Sequence, residues 1–156
     1  MVNKNELNSG IDHSAWKYWA TGITNTNIPA GNIKLDERNY YEVNPPEKYD
    51  GNNPWYVWQT VKALSNTMYK YKALVWGYKG DYLKLSCWER TKENNVGNER
   101  ELCKFRAPFD GWYPIDVIFT TLESTDKIDC GIGIVPGSNN PSKKLWFRPN
   151  IIFTKN

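Results

Sequence analysis

The segment from Asp129 to Phe147 constrains the fold more than any other part of the sequence. Two short apolar runs, 132–135 and 145–147, are separated by Pro, Gly, Ser and Asn residues at 136–141. Apolar runs bounded by such residues are typical of β-strands joined by a turn. The sequence therefore predicts a β-hairpin here and favours a chain rich in β-structure.

The chain is 156 residues long, which suits one domain with one core. We treat 1–156 as a single domain in which residues 1–12 are a loose polar lead-in. Residues 13–20 are expected to form a short helix, because Trp16 and Trp19 would then lie on one buried face.

Alternating apolar residues and turn signals predict strands over most of the remaining chain. The predicted strands are 33–43, 55–64, 67–78, 82–90, 99–107, 113–122, 127–135 and 143–148. Most connections are short, as between antiparallel neighbours. We therefore predict an all-β fold, an eight-stranded antiparallel up-and-down β-barrel over 32–148 with a short N-terminal helix. One alternative stays open: Trp55, Trp58 and Val61 recur at every third position, which also fits a helix.

Composition limits the function classes. The net charge is +3, with 20 basic and 17 acidic residues interspersed along the chain, so no nucleic-acid surface is predicted. No apolar run is long enough to span a membrane. The sequence lacks nucleophile, phosphate-loop and metal-ligand motifs, and His13 is its single histidine. We expect no enzyme activity, no metal and no cofactor, whereas 8 Trp and 10 Tyr indicate a binding protein.

The three cysteines allow one disulfide bond. If the hairpin between residues 82 and 107 is symmetric about Asn95, Cys87 lies directly opposite Cys103, close enough for a cross-strand bond. Such a bond indicates an oxidising compartment. Two buried free thiols remain the alternative.

Short matches in a consistent order resemble the tick salivary lipocalins, the family that includes the histamine-binding proteins. They are Ala15-Trp16-Lys17, Tyr40-Tyr41-Glu42-Val43, Asp116-Val117-Ile118, Asp129-Cys130, Val135-Pro136-Gly137 and Leu145-Trp146. The resemblance implies a barrel with an internal pocket, closed at one end by the N-terminal helix. It also implies secretion, although residues 1–6 contain no hydrophobic signal core, so we expect the signal peptide to have been removed.

Departures from the family pattern influence the ligand prediction. The histamine-binding members hold their cationic ligand with carboxylates at positions that are Gly131 and Lys144 here. A lysine would repel an amine, so amine binding is disfavoured. The family's C-terminal helix, whose cysteine pairs with the one at Cys130, has no counterpart, so Cys130 is expected to be unpaired.

The predicted pocket wall combines strand aromatics with two glycines that leave room for a bulky ligand. Lys144, Trp146 and Arg148 share one face of the last strand, and we assign that face to the interior, although a register shift of one residue would turn it outward. The predicted ligand-binding residues are Tyr41, Trp58, Tyr69, Tyr71, Phe105, Phe119, Gly131, Gly133, Lys144, Trp146 and Arg148.

Our leading functional prediction is a secreted, non-enzymatic lipocalin that binds a sterol, fatty acid or eicosanoid inside the barrel. As implied by the resemblance, it would act as a salivary modulator of host defence, with a host immune protein or cell as a further partner. Two alternatives remain: a scavenger of histamine or serotonin, and an aromatic-rich β-sandwich that binds glycans or a protein through exposed Trp and Tyr side chains.

Overall fold

The computed structural model describes residues 16–21 and 23–150, and for 23–25 and 149–150 it describes the backbone only. These residues form β-strands and one short 3-10 turn at Ala30–Asn32. The strands are β1 (Lys17–Ala20), β2 (Ile23–Asn27), β3 (Ile33–Leu35), β4 (Tyr41–Val43), β5 (Trp55–Lys62), β6 (Met68–Gly77), β7 (Tyr82–Arg90), β8 (Arg100–Arg106), β9 (Gly111–Thr120), β10 (Lys127–Val135) and β11 (Leu145–Asn150).

The strands form two antiparallel sheets that face each other as a β-sandwich. Sheet I has six strands in the order β2-β1-β5-β10-β7-β8. Sheet II has five strands in the order β3-β4-β11-β6-β9. The last two strands, β10 and β11, therefore lie inside their sheets and not at the edges. The β-hairpin predicted over 129–147 is wrong, because β10 pairs with β5 and β7 in sheet I, whereas β11 pairs with β4 and β6 in sheet II. Residues 136–144 connect the two sheets and do not form a hairpin turn.

The core lies between the sheets and is unusually rich in rings. In β6, Tyr69, Tyr71, Ala73 and Val75 are buried while the residues between them are partly exposed, which is the period of two that a half-buried strand requires. Tyr41 of β4 stacks on Phe147 of β11 with centroids 5.2 Å apart. The buried rings between the sheets are Trp16, Tyr18, Tyr41, Trp55, Tyr69, Tyr71, Phe119 and Phe147.

The predicted up-and-down barrel is wrong. Both sheets are open, with edges at β2, β8, β3 and β9. The prediction assumed that a short connection joins neighbours in one sheet, but residues 63–67 lead from β5 in sheet I to β6 in sheet II. Alternation along a strand is the same for a barrel interior and for a sandwich core, so it did not separate the two folds.

The predicted N-terminal helix is also wrong over the residues that the structure describes. Residues 17–20 are strand β1, and 13–15 lie outside the described residues. Trp16 is buried in the core, whereas Trp19 is 37% exposed on the outer face of sheet I. The two rings therefore point to opposite sides, as in a strand.

Several strands lie where the sequence placed them. The predictions for 82–90 and 127–135 are confirmed as β7 and β10, and residues 55–62 are a strand and not a helix. The predicted strand 33–43 is divided into β3 and β4 by a turn. Within that turn, Asp36 Oδ1 accepts the Arg38 N–H, and Asn39 has φ 65°.

The predicted opposition of Cys87 and Cys103 does not occur. Cys103 pairs with Leu85, and Cys87 pairs with Arg100. The reason is the turn, which closes between Arg90 and Val96 and is therefore centred before Asn95. All three cysteines are free thiols, and Cys87 lies opposite Cys130 on β10.

Within the described part of the chain, no helix is long and apolar enough to cross a membrane. The same residues contain no group of three or more His, Cys, Asp and Glu side chains arranged to hold a metal ion.

Candidate functional site

The outer face of sheet I carries a groove lined with tryptophan. Trp19 on β1, Trp58 on β5 and Trp88 on β7 line it, with Arg90, Val96 and Asp129 completing the wall. Its volume is about 250 Å³. We call this surface the tryptophan groove. The three rings meet because β5 pairs with both β1 and β10, and β10 pairs with β7.

Two glycines of the central strand make room for these rings. Gly131 and Gly133 lie on the outward face of β10. A Cβ at Gly133 would be 2.4 Å from the Tyr56 ring, and one at Gly131 would be 3.0 Å from the Trp88 ring. Rings from β5 and β7 therefore lie across β10 and form a continuous apolar floor.

The rings contact one another edge to face. Tyr56 is 5.5 Å from Trp88 and 5.5 Å from Trp19, measured between centroids. This arrangement is favourable for aromatic pairs and holds each ring in one orientation. The result is a rigid aromatic row that runs from β1 to β7.

An ion pair between the partly buried Arg90 and the buried Asp129 lies beside the rings. Arg90 Nε is 2.8 Å from Asp129 Oδ2, and Arg90 Nη2 is 2.7 Å from the same oxygen. Thr60 Oγ1 donates to Asp129 Oδ1 at 2.6 Å, and the Arg90 guanidinium lies 5.9 Å from the Trp58 centroid. The pair thus presents fixed donors and acceptors without a net charge.

A second polar cluster surrounds Lys84 on β7. Its Nζ lies 3.0 Å from both Glu99 and Glu101, and Ser86 donates to Glu99 at 2.7 Å. Burial lowers the pKa of Lys84, but its interactions with Tyr56, Glu99 and Glu101 outweigh burial and raise it. Lys84 is therefore cationic over the whole working pH range.

Most charges beside the rings are paired. The cations are Lys84 and Arg90, Lys17 at 5.2 Å from the Trp58 centroid, and Lys104 at 3.7 Å from Glu101. Three carboxylates oppose them, those of Glu99, Glu101 and Asp129. Such a surface suits a neutral ligand with many hydroxyl groups better than an ion.

Trp58 contributes an unused donor. Its side chain is 5% exposed, and its indole Nε1 has no hydrogen-bond partner among the described residues. A buried donor without a partner costs about 1 to 3 kcal/mol. An oxygen atom within hydrogen-bond reach of this Nε1 would offset that cost.

The structure separates the sequence-predicted site residues into three groups. Tyr41, Tyr69, Tyr71 and Phe119 are core residues, and Phe105 is half-buried on β8 against Tyr113. Lys144, Trp146 and Arg148 lie at the outer face of sheet II, where Trp146 and Arg148 line a separate groove. Trp58, Gly131 and Gly133 lie at the outer face of sheet I.

The predicted interior pocket is therefore wrong, because the core rings occupy the space between the sheets. Sequence reasoning missed Trp19, Tyr56, Trp88, Arg90 and Asp129. One signal was present in the sequence. Bulky apolar residues occupy successive positions of one strand, and therefore both of its faces, at Trp55, Tyr56, Val57 and Trp58. Such a strand carries apolar residues on both faces, so its outer face must meet something other than bulk water.

Comparisons by sequence gave no relatives. No protein-family model matches the chain, and no curated protein matches it at a significant level.

Comparisons by structure gave carbohydrate-binding modules. The first is the N-terminal part of Clostridium thermocellum endo-1,4-β-D-xylanase 10B, its CBM22-1 and GH10 modules in complex with xylohexaose. It has a TM-score of 0.64 and 12% identity, and the match covers 94% of this chain and 27% of that chain. The C-terminal family 22 carbohydrate-binding module of Clostridium thermocellum Xyn10B has a TM-score of 0.59 and 4% identity over 91% of this chain and 87% of that chain. A CBM4 structure has a TM-score of 0.57 and 9% identity over 92% of this chain and 88% of that chain.

At these identities the comparisons show the fold, a two-sheet β-sandwich of the jelly-roll kind. They contradict the resemblance to tick salivary lipocalins, whose fold is a closed barrel. The short sequence matches on which that resemblance depended are distributed over strands that pair in a different order. This chain spans only 27% of the xylanase chain, so no activity of that whole protein transfers to it.

Proposed function

We propose that the chain is a carbohydrate-binding module that holds a neutral glycan in the tryptophan groove. The observation that carries the proposal is the aromatic row of Trp19, Tyr56 and Trp88 beside the paired Arg90 and Asp129. Pyranose rings have apolar C–H faces that bury against flat aromatic rings, and hydroxyl groups that need fixed donors and acceptors. The groove supplies both.

The structural neighbours support this choice of ligand. The family 22 structures include a complex with xylohexaose and a xylan-binding domain. A role in glycan binding was one of the alternatives left open by the sequence. It replaces the binding of a sterol, fatty acid or eicosanoid inside a barrel, since the sandwich interior is filled by core rings.

The proposed role is binding without hydrolysis. Asp129 is held by Arg90 and Thr60, and Glu99 is held by Lys84 and Ser86. Carboxylates fixed in this way accept hydrogen bonds from sugar hydroxyls. We further propose an extracellular location, because polymeric glycans are found mainly outside cells.

The test is isothermal titration with neutral hexasaccharides of xylose, glucose, galactose and mannose, on the wild type and on Trp88→Ala. Loss of a stacking ring at a binding centre typically costs about 2 kcal/mol or more, which is a fall in affinity of roughly thirtyfold. The control is Trp112→Ala, which removes an exposed tryptophan from the outer face of sheet II. Thermal unfolding of each variant verifies that it is folded.

We expect one neutral hexasaccharide to bind, Trp88→Ala to abolish or strongly weaken the binding, and Trp112→Ala to leave it unchanged. Absence of binding to the whole set would refute the proposal. An equal loss in both variants would also refute it, because the effect would then not belong to the tryptophan groove.

A further inference from the structure

The outer face of sheet II carries a second aromatic groove, on the opposite side of the sandwich from the tryptophan groove. Its volume is about 340 Å³. It is lined by Arg38, Tyr40, Leu74, Trp76, Tyr78, Trp112, Trp146 and Arg148. We call it the arginine groove.

The tryptophans of this groove lie in one cross-strand row. Trp146 of β11 pairs with Trp76 of β6, and Trp76 pairs with Trp112 of β9. Trp76 and Trp112 have centroids 5.6 Å apart, and Tyr40 is 5.5 Å from Trp112. Tyr78 connects the row to Trp146 at 5.8 Å.

The row is anchored but exposed. Trp146 donates its Nε1–H to Glu42 on β4 at 3.2 Å, which fixes the indole. Trp112 is 38% exposed at the edge strand. Outward positions of a solvated sheet are normally polar, and a contiguous exposed apolar patch marks an interaction surface.

Two arginines lie at the rim of the row. Arg148 donates a guanidinium N–H to the backbone carbonyl of Arg38 at 2.7 Å, and it forms no ion pair with any described residue. The Arg38 guanidinium lies 4.9 Å from the Tyr40 centroid and also donates to the Tyr40 hydroxyl. A guanidinium has five N–H donors, so most of those on Arg148 are available.

The carboxylates on this face are already engaged by lysines. Glu42 lies 3.6 Å from Lys144 and 3.9 Å from Lys34. Asp116 lies 3.9 Å from both Lys70 and Lys72. With Asp36 beside Arg38, these residues make six cations against three carboxylates: Lys34, Arg38, Lys70, Lys72, Lys144 and Arg148 against Asp36, Glu42 and Asp116. The surroundings of the arginine groove are therefore cationic.

We propose that the arginine groove is a second binding site, and that its ligand is an acidic polysaccharide. The sugar rings would stack on the row of Trp146, Trp76 and Trp112, and a carboxylate of a uronic acid would accept hydrogen bonds from Arg148. Guanidinium and carboxylate groups match in geometry and charge. This site stands on its own residues and does not depend on the ligand of the tryptophan groove.

The test uses hexagalacturonate as the acidic probe and the neutral galactose hexasaccharide as its uncharged counterpart. A sulfated glycan of similar length separates carboxylate recognition from attraction to any polyanion. Titrations at low and high salt compare the wild type with Arg148→Gln and Trp112→Ala.

Arg106→Gln is the matched control for the arginine. Like Arg148, Arg106 is exposed and donates to a backbone carbonyl, that of Gly80 at 3.1 Å. Its guanidinium also lies 5.7 Å from the Tyr82 centroid. It lies on β8 at the edge of sheet I, away from the arginine groove. Trp88→Ala serves as the control for the opposite face.

We expect hexagalacturonate to bind at least tenfold more tightly than the neutral and sulfated probes. Arg148→Gln and Trp112→Ala should each weaken this binding at least tenfold, while Arg106→Gln and Trp88→Ala leave it unchanged. No binding of the acid would overturn the proposal, as would equal effects of Arg148→Gln and Arg106→Gln, which would indicate diffuse attraction. Dimers abolished by Trp112→Ala, with no acid bound, would show a second copy as the occupant and also overturn it.

Discussion

Replacing Asp81 tests how two connections of the sandwich are held together. Asp81 precedes β7 and is 1% exposed. Its Oδ2 accepts the Tyr78 N–H at 2.9 Å and the Asn140 Nδ2–H at 3.1 Å, and its Oδ1 accepts the Gly137 N–H at 2.7 Å. One carboxylate thus ties the turn at 78–81 to the loop at 136–140.

The size of the effect follows from these three bonds. Asp81→Ala leaves three donors without their acceptor, and each unsatisfied buried donor costs about 1 to 3 kcal/mol. Water enters part of the space, and the desolvation cost of the carboxylate disappears, so we expect a loss of about 3 to 5 kcal/mol in the free energy of unfolding. Asp81→Asn keeps one acceptor oxygen but turns an amide toward a donor, and should cost about 2 kcal/mol.

Asp50→Ala is the matched control. Asp50 also accepts three hydrogen bonds, from the Asn52 N–H, the Asn53 N–H and the Asn53 side-chain amide, but it is exposed. Water replaces those bonds when the carboxylate is removed. Urea denaturation followed by tryptophan fluorescence should therefore show a much smaller loss for Asp50→Ala. Equal losses for the two alanine variants would refute the argument that burial, and not the number of hydrogen bonds, determines the cost.

The two aspartates should also differ in their pH dependence. Burial raises the pKa of Asp81, although its hydrogen bonds from Gly137 and Tyr78 lower it in part. The folded state then binds the proton more tightly than the unfolded state, so this contribution to stability is present below the unfolded pKa and is lost as pH rises through the folded pKa. Hydrogen bonds from Asn52 and Asn53 lower the pKa of Asp50, so its contribution is lost as pH falls. Between about pH 3.5 and pH 7, the free energy of unfolding of the wild type minus that of Asp81→Asn should therefore decrease. The same difference for Asp50→Asn should increase over this range. If both differences changed with pH in the same direction, the opposite pKa shifts of the two aspartates would be contradicted.

Two further predictions concern the site and the thiols. Gly133→Ala should lower the free energy of unfolding by about 1 to 3 kcal/mol and displace the Tyr56 ring, because the added Cβ overpacks the site. Gly31→Ala is the control and should have neither effect, since nothing lies within 4 Å of its added Cβ. Urea denaturation measures the stability and near-UV circular dichroism reports the ring, and equal costs for the two variants would contradict the close approach of the ring. At pH 8 a thiol-reactive dye should label only the partly exposed Cys103 in the native protein, because burial raises the pKa of Cys87 to about 12 and that of Cys130 well above its usual value. In urea the dye should label all three thiols. A single reactive thiol in urea would instead reveal a disulfide bond.

The sequence located most strands because their signals are local. Alternation and turn residues placed β7 and β10 at their observed bounds. Composition placed a break at 136–141, but the connection there passes from sheet I to sheet II and is not the turn of the predicted hairpin. The division of 33–43 depends on Asn39 adopting a positive φ, which alternation does not report. The pairing order depends on which connections pass from one sheet to the other, and a short loop permits both outcomes.

The candidate sites were harder to predict, because the side of a sheet that faces water is a tertiary property. Lys144, Trp146 and Arg148 do share one face, as the period of two requires, but that face is the outer one. The floor of the tryptophan groove depends on Gly133 of β10 lying beneath Tyr56 of β5, a contact between distant positions. No local pattern in either strand reports it.

The inner positions of β10 and β11 determine the order in which the fold can be completed. β10 fills the gap between β5 and β7, and β11 fills the gap between β4 and β6, where Phe147 pairs with Tyr41. Neither sheet is continuous until residues 127–150 are in place, so these distant pairings should make folding slow, on the order of milliseconds to seconds. A fragment ending before residue 127 would expose four further unpaired strand edges, those of β5, β7, β4 and β6, and would tend to aggregate. For the same reason, a separate peptide of residues 127–150 should insert into that fragment and restore the sandwich by complementation.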